Sequence, residues 1–487
     1  MTDILKNKRK IFLITAVFFL VELVSFLSYY FPLINQVIFF LLVIVCLGLA
    51  CYKLRWALYF VFAELFLNSM GYIFFLESGG LKISLRISLW LIVIAVFLAK
   101  ILLDVFRKKD LLGRFLSMPF LKNILYLGFF VVFGLVLGIL NNGFSDAFFD
   151  FNAWLYFLLI FPVWLTLTID ADNSFKNDLV LIFVSSTLFL LLKSLILLFL
   201  FSHNFTGIIS DLYYWTRSYS LGEITAMGGG LYRIFLQSQI FIMIAFLISS
   251  IYFPFTKERK QKRYLAVFMI LSASVLILSF SRSFWLAAFF AVIIGAAIIS
   301  IKFNWKKSFY YLASVFIAVS LGFAVLFAII NLPLPSSNVE FDIYSVSERA
   351  NIRAEESAIS SRWALLSSMQ EKLKSSPILG KGFGARIEYQ SSDPRVLERT
   401  ADGIYSTYAF EWGWLDIWLK IGLLGLISYL LLIFLFLKKS FSQKNLFNIG
   451  LGVSIFSLVI VNIFTPYLNH PLGIGFLILA LVFNNSE

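Results

Sequence analysis

Apolar residues come in long unbroken blocks, not in the short alternating runs of strands or the one-sided stripes of soluble helices. They lie near 11–30, 33–52, 56–76, 83–106, 121–140, 153–169, 179–202, 231–252, 264–281, 283–301, 308–331, 414–437, 446–465 and 471–485. A helix rises 1.5 Å per residue, so about 20 apolar residues cross a hydrocarbon layer of roughly 30 Å. The blocks predict an all-α polytopic membrane protein with about 14 transmembrane helices, in a range of roughly 12 to 14. The first block follows the basic flank of MTDILKNKRKIFLITAVFF, lacks a small-residue cleavage site and is long enough to span, so it reads as a retained helix.

Composition excludes the soluble alternative. Hydrophobic residues make up 60% of the chain and charged ones 14%, against about 45–50% and 25% in soluble domains. A core cannot absorb that excess, whereas lipid can. The two cysteines, Cys46 and Cys51, sit in one apolar run and offer neither a disulfide framework nor a metal site.

The net charge of +13 would suggest a nucleic-acid partner in a soluble protein, but here the basic residues fall in short loops between spans, and no nucleic acid is expected. Lys53/Arg55 and the clusters at Lys100–Lys122, Lys257–Arg263, Lys302–Lys307 and Lys438–Lys444 all land on one side if every block spans. Positive loops face the cytoplasm, so the expectation is a multi-pass protein of the cytoplasmic (inner) membrane with both termini cytoplasmic. The chain then divides into spans over 1–331, an extracytoplasmic helical loop over 332–413 and C-terminal spans over 414–487. Within that loop, SERANIRAEESAISSRWALLSSMQEKLKSS reads as amphipathic helix. Ser345 or Ser347 is its candidate N-cap, and Trp363, Leu366, Met369 and Leu373 form a stripe suited to the bilayer surface, a lid or a packed plug.

The two faces prefer different cations: lysine dominates the cytoplasmic loops and arginine the opposite face. Orientation requires only positive charge, but planar bidentate recognition of phosphate or carboxylate requires arginine. Arg86, Arg233 and Arg282 stand at the ends of spans, where an ionised side chain faces a polar interior or snorkels to the headgroups; both readings stand for Arg86. Arg217 and Arg353 are further outer-face candidates. Lys193, deep in LFLLLKSLILL with no nearby carboxylate in sequence, is either a structural bond to another helix or part of a site.

Four features in order carry a resemblance: Arg233 opening a helix after GGG, SRSFWLA at 281–287, SSRWALL at 360–366 and PILGKGFG at 377–384, with GLLGL at 422–426 as a fifth. Over roughly 220–440 the chain resembles the bacterial O-antigen ligase and polymerase superfamily. The resemblance implies a GT-C-like helical bundle acting on the outer face of the cytoplasmic membrane. It implies metal-independent, cofactor-free transfer from a polyprenyl diphosphate-linked glycan to a saccharide or glycolipid acceptor among membrane lipids. By correspondence Arg233 and Arg362 hold the diphosphate, with Arg282 in support, and this suits the chemistry, because fixed guanidinium groups stabilise charge that develops on a leaving diphosphate.

The chain departs from the family at one position. Ligases of this kind usually carry a histidine upstream of the GLLGL-like motif, where this chain has Glu411 followed by Trp412. The resemblance then makes Glu411 the base, and favours a polymerase-like over a ligase-like reading. Glu411 also suits a helix start for dipole reasons alone, and Asp402 and Asp416 are the alternatives. His203 and His470 read as capping or interface residues, and Tyr405, Tyr408, Phe410, Trp412, Trp414 and Trp418 as an interfacial belt with room for sugar stacking. Two rival classes remain: a transporter or flippase of lipid-linked oligosaccharide, with Lys193 as its support, and a non-catalytic scaffold.

Overall fold

The computed structural model describes residues 7–106, 111–169, 173–228, 230–333, 356–391, 400 and 402–484. The chain begins with α1 (Lys8–Tyr30), α2 (Pro32–Tyr52) and α3 (Leu54–Leu67), then a hairpin of β1 (Phe75–Ser78) and β2 (Leu81–Ser84), α4 (Leu85–Phe106) and the short α5 (Leu111–Leu116). Next come α6 (Leu121–Asn142), α7 (Phe144–Phe151), a 3₁₀ stretch over Asn152–Leu159 that runs into α8 (Ile160–Ile169), α9 (Ser174–Ser202) and α10 (Ile209–Ser218). A second hairpin, β3 (Glu223–Gly228) with β4 (Leu231–Phe235), precedes α11 (Ile240–Tyr252), α12 (Arg259–Leu278), α13 (Arg282–Lys302) and α14 (Trp305–Ile330). The last part holds α15 (Glu356–Lys374), a third hairpin of β5 (Ile387–Gln390) and β6 (Ile404–Thr407), α16 (Gly413–Ser442), α17 (Leu446–Phe464) and α18 (Pro471–Phe483).

The sheets among the described residues are three two-stranded antiparallel hairpins, and the fold is all-α and polytopic, as the blocks predict. Among the described residues, twelve helical segments are long and apolar enough to cross a membrane. Twelve lies within the expected range, and the remaining two blocks, at 56–76 and 471–485, form the shorter helices α3 with 14 residues and α18 with 13. The first of these ends early because the chain turns at Asn68 and Ser69 around a buried ion pair. The expected span at 231–252 also starts later, since its first residues are β4.

The helices bury their polar side and show lipid their apolar one. In α1 the buried residues are Thr15, Phe18, Glu22, Ser25 and Ser28, whereas Phe12, Leu13, Val17, Leu20 and Leu23 are exposed. That inversion is expected where the surrounding solvent is hydrocarbon and helices associate through small and polar groups. Glu22 on this stripe pairs with Lys193 of α9, whose ammonium also lies 5.3 Å from the Trp215 ring. Lys193 is thus an interhelical tie, with a partner 171 residues away that local sequence could not reveal.

One end of the bundle gathers lysines: Lys100 donates to the Ala50 carbonyl, Lys302 to that of Ser442 and Lys307 to that of Pro254. The opposite end carries all three hairpins, α10 and α15. There α15 buries Ser361, Leu365, Met369 and Leu373, an i,i+4 stripe, against Ala385, Ile387, Phe410 and Leu419. The sequence stripe is corrected on two counts: Leu365 replaces Leu366 as the buried member, and Trp363 is 62% exposed. The helix is a packed cap on β5 and α16. Its candidate caps Ser345 and Ser347 lie outside the described residues.

Candidate active site

The segment PILGKGFG inserts into the bundle. It is wedged between α6 and α16 where α16 breaks at Gly422, with φ 73° and ψ 174°. The break orphans backbone groups that water cannot satisfy at this depth, and the inserted segment supplies the partners. Lys381 N donates to Leu419 O at 2.6 Å, Leu423 N to Ile378 O at 3.0 Å and Phe383 N to Gly134 O at 3.1 Å. Close approach requires glycine on both sides: a Cβ on Gly382 would lie 2.2 Å from Gly138 N, and one on Gly138 would lie 2.4 Å from Phe383 O. PILGKGFG and GLLGL therefore form one structural device, in which the inserted strand completes the broken helix.

This device fixes the entry to α16, where Glu411 and Trp412 stand. Glu411 forms an ion pair with Arg362 of α15, joining two positions 49 residues apart. Trp412 Nε1 donates to Arg362 O at 3.3 Å, and its ring packs against Trp363 and Phe464 at 6.3 and 5.9 Å. Both charged side chains are about half exposed, 47% for Arg362 and 52% for Glu411, so the pair is open to a ligand.

The second group of arginines lies on α10 and the β3–β4 hairpin. Arg233 pairs with Thr225 across the hairpin, and its guanidinium donates through Nε to Ser279 O at 3.2 Å and through Nη1 to Glu223 Oε2 at 3.3 Å. Glu223 Oε1 also meets Arg217 at 3.5 Å. Ser279 opens the α12–α13 turn, in which Phe280 takes φ 48°, a conformation that bulky residues rarely adopt. Arg282, half-buried, begins α13 just after that turn. Ser283 Oγ lies 3.2 Å from Thr465 Oγ1, the residue after Phe464 on which Trp412 packs. The α12–α13 turn thus stands between the Arg233 and Glu411 groups.

Arg86 does something else. It is 5% exposed and its guanidinium meets Glu64 at 2.9 and 3.1 Å, Ser69 O at 3.0 Å and Asn68 O at 2.8 Å. It does not snorkel, and its guanidinium is turned to Glu64, Asn68 and Ser69 inside the protein. Ser69 Oγ in turn bonds Leu221 O and accepts from Gln237 N at 3.1 Å, the two residues that bracket the β3–β4 hairpin. Arg86 is a scaffold residue beneath the Arg233 group. Arg353 lies outside the described residues.

His203 bridges Phe199 O and Leu332 O, each at 2.9 Å, and His470 Nδ1 accepts from Leu472 N as the N-cap of α18, the capping roles expected for both. Asp402 accepts from Ile404 N in the β5–β6 connection.

Two groups escaped sequence reasoning. Glu223, shared by Arg217 and Arg233, carried no motif. The other is a buried triad in which Lys420 Nζ lies 2.5 Å from Asp150 Oδ1 and 2.6 Å from Asp416 Oδ1, with side-chain exposures of 5%, 7% and 3%. Asn469 donates to Asp416, and Gly384 N to Asp150 Oδ2 at 2.8 Å, so the triad locks α7, α16 and PILGKGFG together. Asp416 and Lys420 are spaced i,i+4 and that half was readable, whereas Asp150 is 270 residues distant. Beside the triad, Arg386 pairs with Asp146 at 2.6 and 3.0 Å and lies 5.3 Å from the Tyr408 ring. Burial, then the charges of Asp150 and Asp146, push the Tyr408 hydroxyl above its ordinary range.

Fold and site define a polytopic all-α membrane protein with paired arginines and carboxylates at the end that carries its hairpins. Residues 267–430 match the family model described as O-antigen ligase, and over that segment the chain is similar to the O-antigen ligase-like superfamily. The match covers Arg282, Arg362, PILGKGFG, Glu411 and Gly422 and stops short of Arg217 and Arg233. Such a match points to a membrane enzyme of the glycosyltransferase type in polysaccharide biosynthesis. Comparison with curated proteins finds no match.

Proposed function

We propose that the protein is an inverting glycosyltransferase that joins polyprenyl diphosphate-linked saccharides on the outer face of the cytoplasmic membrane, extending a glycan as a polymerase does. The observation that carries this is the ion pair of Glu411 with Arg362, a base and a diphosphate ligand side by side at the entry to α16. Each key arginine is met by a carboxylate, Arg362 by Glu411 and Arg233 by Glu223. A diphosphate carries more charge than either carboxylate and accepts bidentate bonds from guanidinium. Donor binding then draws Arg362 toward phosphate and releases the Glu411 carboxylate for its acceptor.

Glu411 takes the proton of an acceptor hydroxyl as that oxygen attacks the anomeric carbon. The bond from that carbon to the diphosphate oxygen breaks, the configuration inverts, and polyprenyl diphosphate leaves with its charge held by Arg362, Arg233 and Arg282. The described residues hold no group of three or more His, Cys, Asp and Glu side chains suited to a metal ion, and in this reading the arginines carry the leaving group's charge without metal or cofactor. The acceptor is a saccharide or glycolipid. Glutamate where ligases of this kind usually have histidine supports elongation over transfer to a lipid core. Transport, the rival reading, leaned on Lys193, and the Glu22 partner gives that residue a structural role.

The test is reconstitution with a lipid-linked repeat unit and separation of the glycan by length. The wild-type protein gives longer glycan, whereas Arg362→Ala and Glu411→Gln give none at normal membrane abundance. Wild-type chain lengths from both variants overturn the site, and movement of lipid without glycan growth overturns the enzyme reading in favour of transport.

A further inference from the structure

At the lysine-bearing end, far from Glu411, a cavity of about 1060 Å³ opens between α1, α9, α12 and the central helices α11, α17 and α18. It runs along α1 from Lys8 to Phe19, about three turns or ~16 Å at 1.5 Å per residue. Its walls are apolar, with Phe12, Phe183, Phe268 and Phe476 among them. Lys8, Lys176 and Arg263 contribute the cations, and no aspartate or glutamate lines the cavity among the described residues. Lys8 is oriented by its bond to the Tyr264 hydroxyl.

We propose that this cavity is a binding site for an anionic glycerophospholipid of the surrounding bilayer, its acyl chains along Phe12 and Phe183 and its phosphate among Lys8, Lys176 and Arg263. An apolar hollow of this size left empty forfeits the dispersion contacts of every side chain around it, and hydrocarbon chains are the solvent at hand. Three cations at one rim favour net negative charge: a zwitterionic headgroup brings its own ammonium into the same rim. Basic pockets between transmembrane helices at the positive end of a bundle are suited to such headgroups. A small soluble anion fits the rim but leaves the apolar depth unfilled.

The experiment places the full-length protein in nanodiscs holding equal phosphatidylglycerol and phosphatidylcholine, transfers it to mild detergent and counts retained lipids by native mass spectrometry. The expected result is preferential retention of phosphatidylglycerol. The triple variant Lys8→Gln, Lys176→Gln, Arg263→Gln should lower that preference by ~10-fold or more, each cation near an anionic headgroup being worth about fivefold. Ala16→Trp, which fills the cavity from the lipid-facing side of α1, should reduce retention of both lipids. Thermal unfolding of each variant near the wild-type midpoint shows that the fold is kept, and refilling of the triple variant by arginine at the same three positions restores the preference. Equal retention of the two lipids by wild type, an unchanged preference in the triple variant, or co-purification of a polyprenyl phosphate in place of the glycerophospholipid overturns the proposal.

Discussion

Arg86 and Glu64 grip each other through two hydrogen bonds, Nε to Oε2 at 2.9 Å and Nη2 to Oε1 at 3.1 Å, with only 5% of each side chain exposed. With two further bonds to Asn68 O and Ser69 O the guanidinium makes four hydrogen bonds, so the pair fixes the turn that ends α3 and, through Ser69, the base of the β3–β4 hairpin. Removing one partner strands a buried charge, which costs about 3–5 kcal/mol. Arg86→Met should therefore lower the thermal unfolding midpoint in detergent sharply, and Arg86→Met with Glu64→Gln should recover much of the loss. A single variant as stable as wild type would show that the pair does not hold the turn.

Arg362 and Glu411 are also paired, yet at about half exposure the bond is worth at most ~1 kcal/mol to stability. The same two groups matter far more if they meet a developing diphosphate and an acceptor proton. Arg362→Ala is expected to keep its membrane abundance and unfolding midpoint while losing ~10²- to 10³-fold in transfer rate, the range seen when one transition-state donor is removed. Activity and stability measured on one preparation separate the roles; equal losses in both would make the pair structural.

At Gly382 the argument is steric. A methyl group would meet Gly138 N at 2.2 Å with the backbone at φ 80°, and α6 cannot withdraw without breaking the bond from Phe383 N to Gly134 O. Gly382→Ala should destabilise by more than the ~1 kcal/mol typical of alanine at positive φ, seen as loss of monodisperse protein on gel filtration. Gly48 in α2 has nothing within 4 Å of the same added atom and serves as control, with Gly48→Ala expected to be neutral or slightly stabilising. Matching yields for the two variants would mean that the inserted segment is not tightly held.

The membrane architecture was legible because lipid imposes one rule on every span, and twelve blocks obey it. The block at 56–76 yields a shorter helix than hydropathy suggests because the chain turns at Asn68 and Ser69 to meet the buried Arg86. Local spacing placed Glu411 at a helix entry. It could not reveal Glu22 for Lys193, Asp150 for Lys420 or Glu64 for Arg86, since each partner comes from another helix. The motifs were readable as resemblance but not as mechanics: that PILGKGFG completes the broken α16 follows only from the positive φ of Gly422 and the amides that face it.

Arg233 offers the finest test of how the second arginine group works. Its guanidinium spans two acceptors, Ser279 O through Nε and Glu223 Oε2 through Nη1, and a lysine ammonium cannot hold both in that fixed plane. With 17% of the side chain exposed, Arg233→Lys should fold, and in the proposed reaction it should raise the donor KM and lower kcat together because the diphosphate loses a planar ligand. Glu223→Gln acts in the opposite sense: it removes the negative charge shared by Arg217 and Arg233, so both guanidinium groups meet the donor without a competing carboxylate and the donor KM should fall. Steady-state kinetics on the two variants with one lipid-linked donor give the comparison. Wild-type constants for Arg233→Lys, or a donor KM that rises in Glu223→Gln, would remove the hairpin from the diphosphate site and leave Arg362 and Arg282 to hold it.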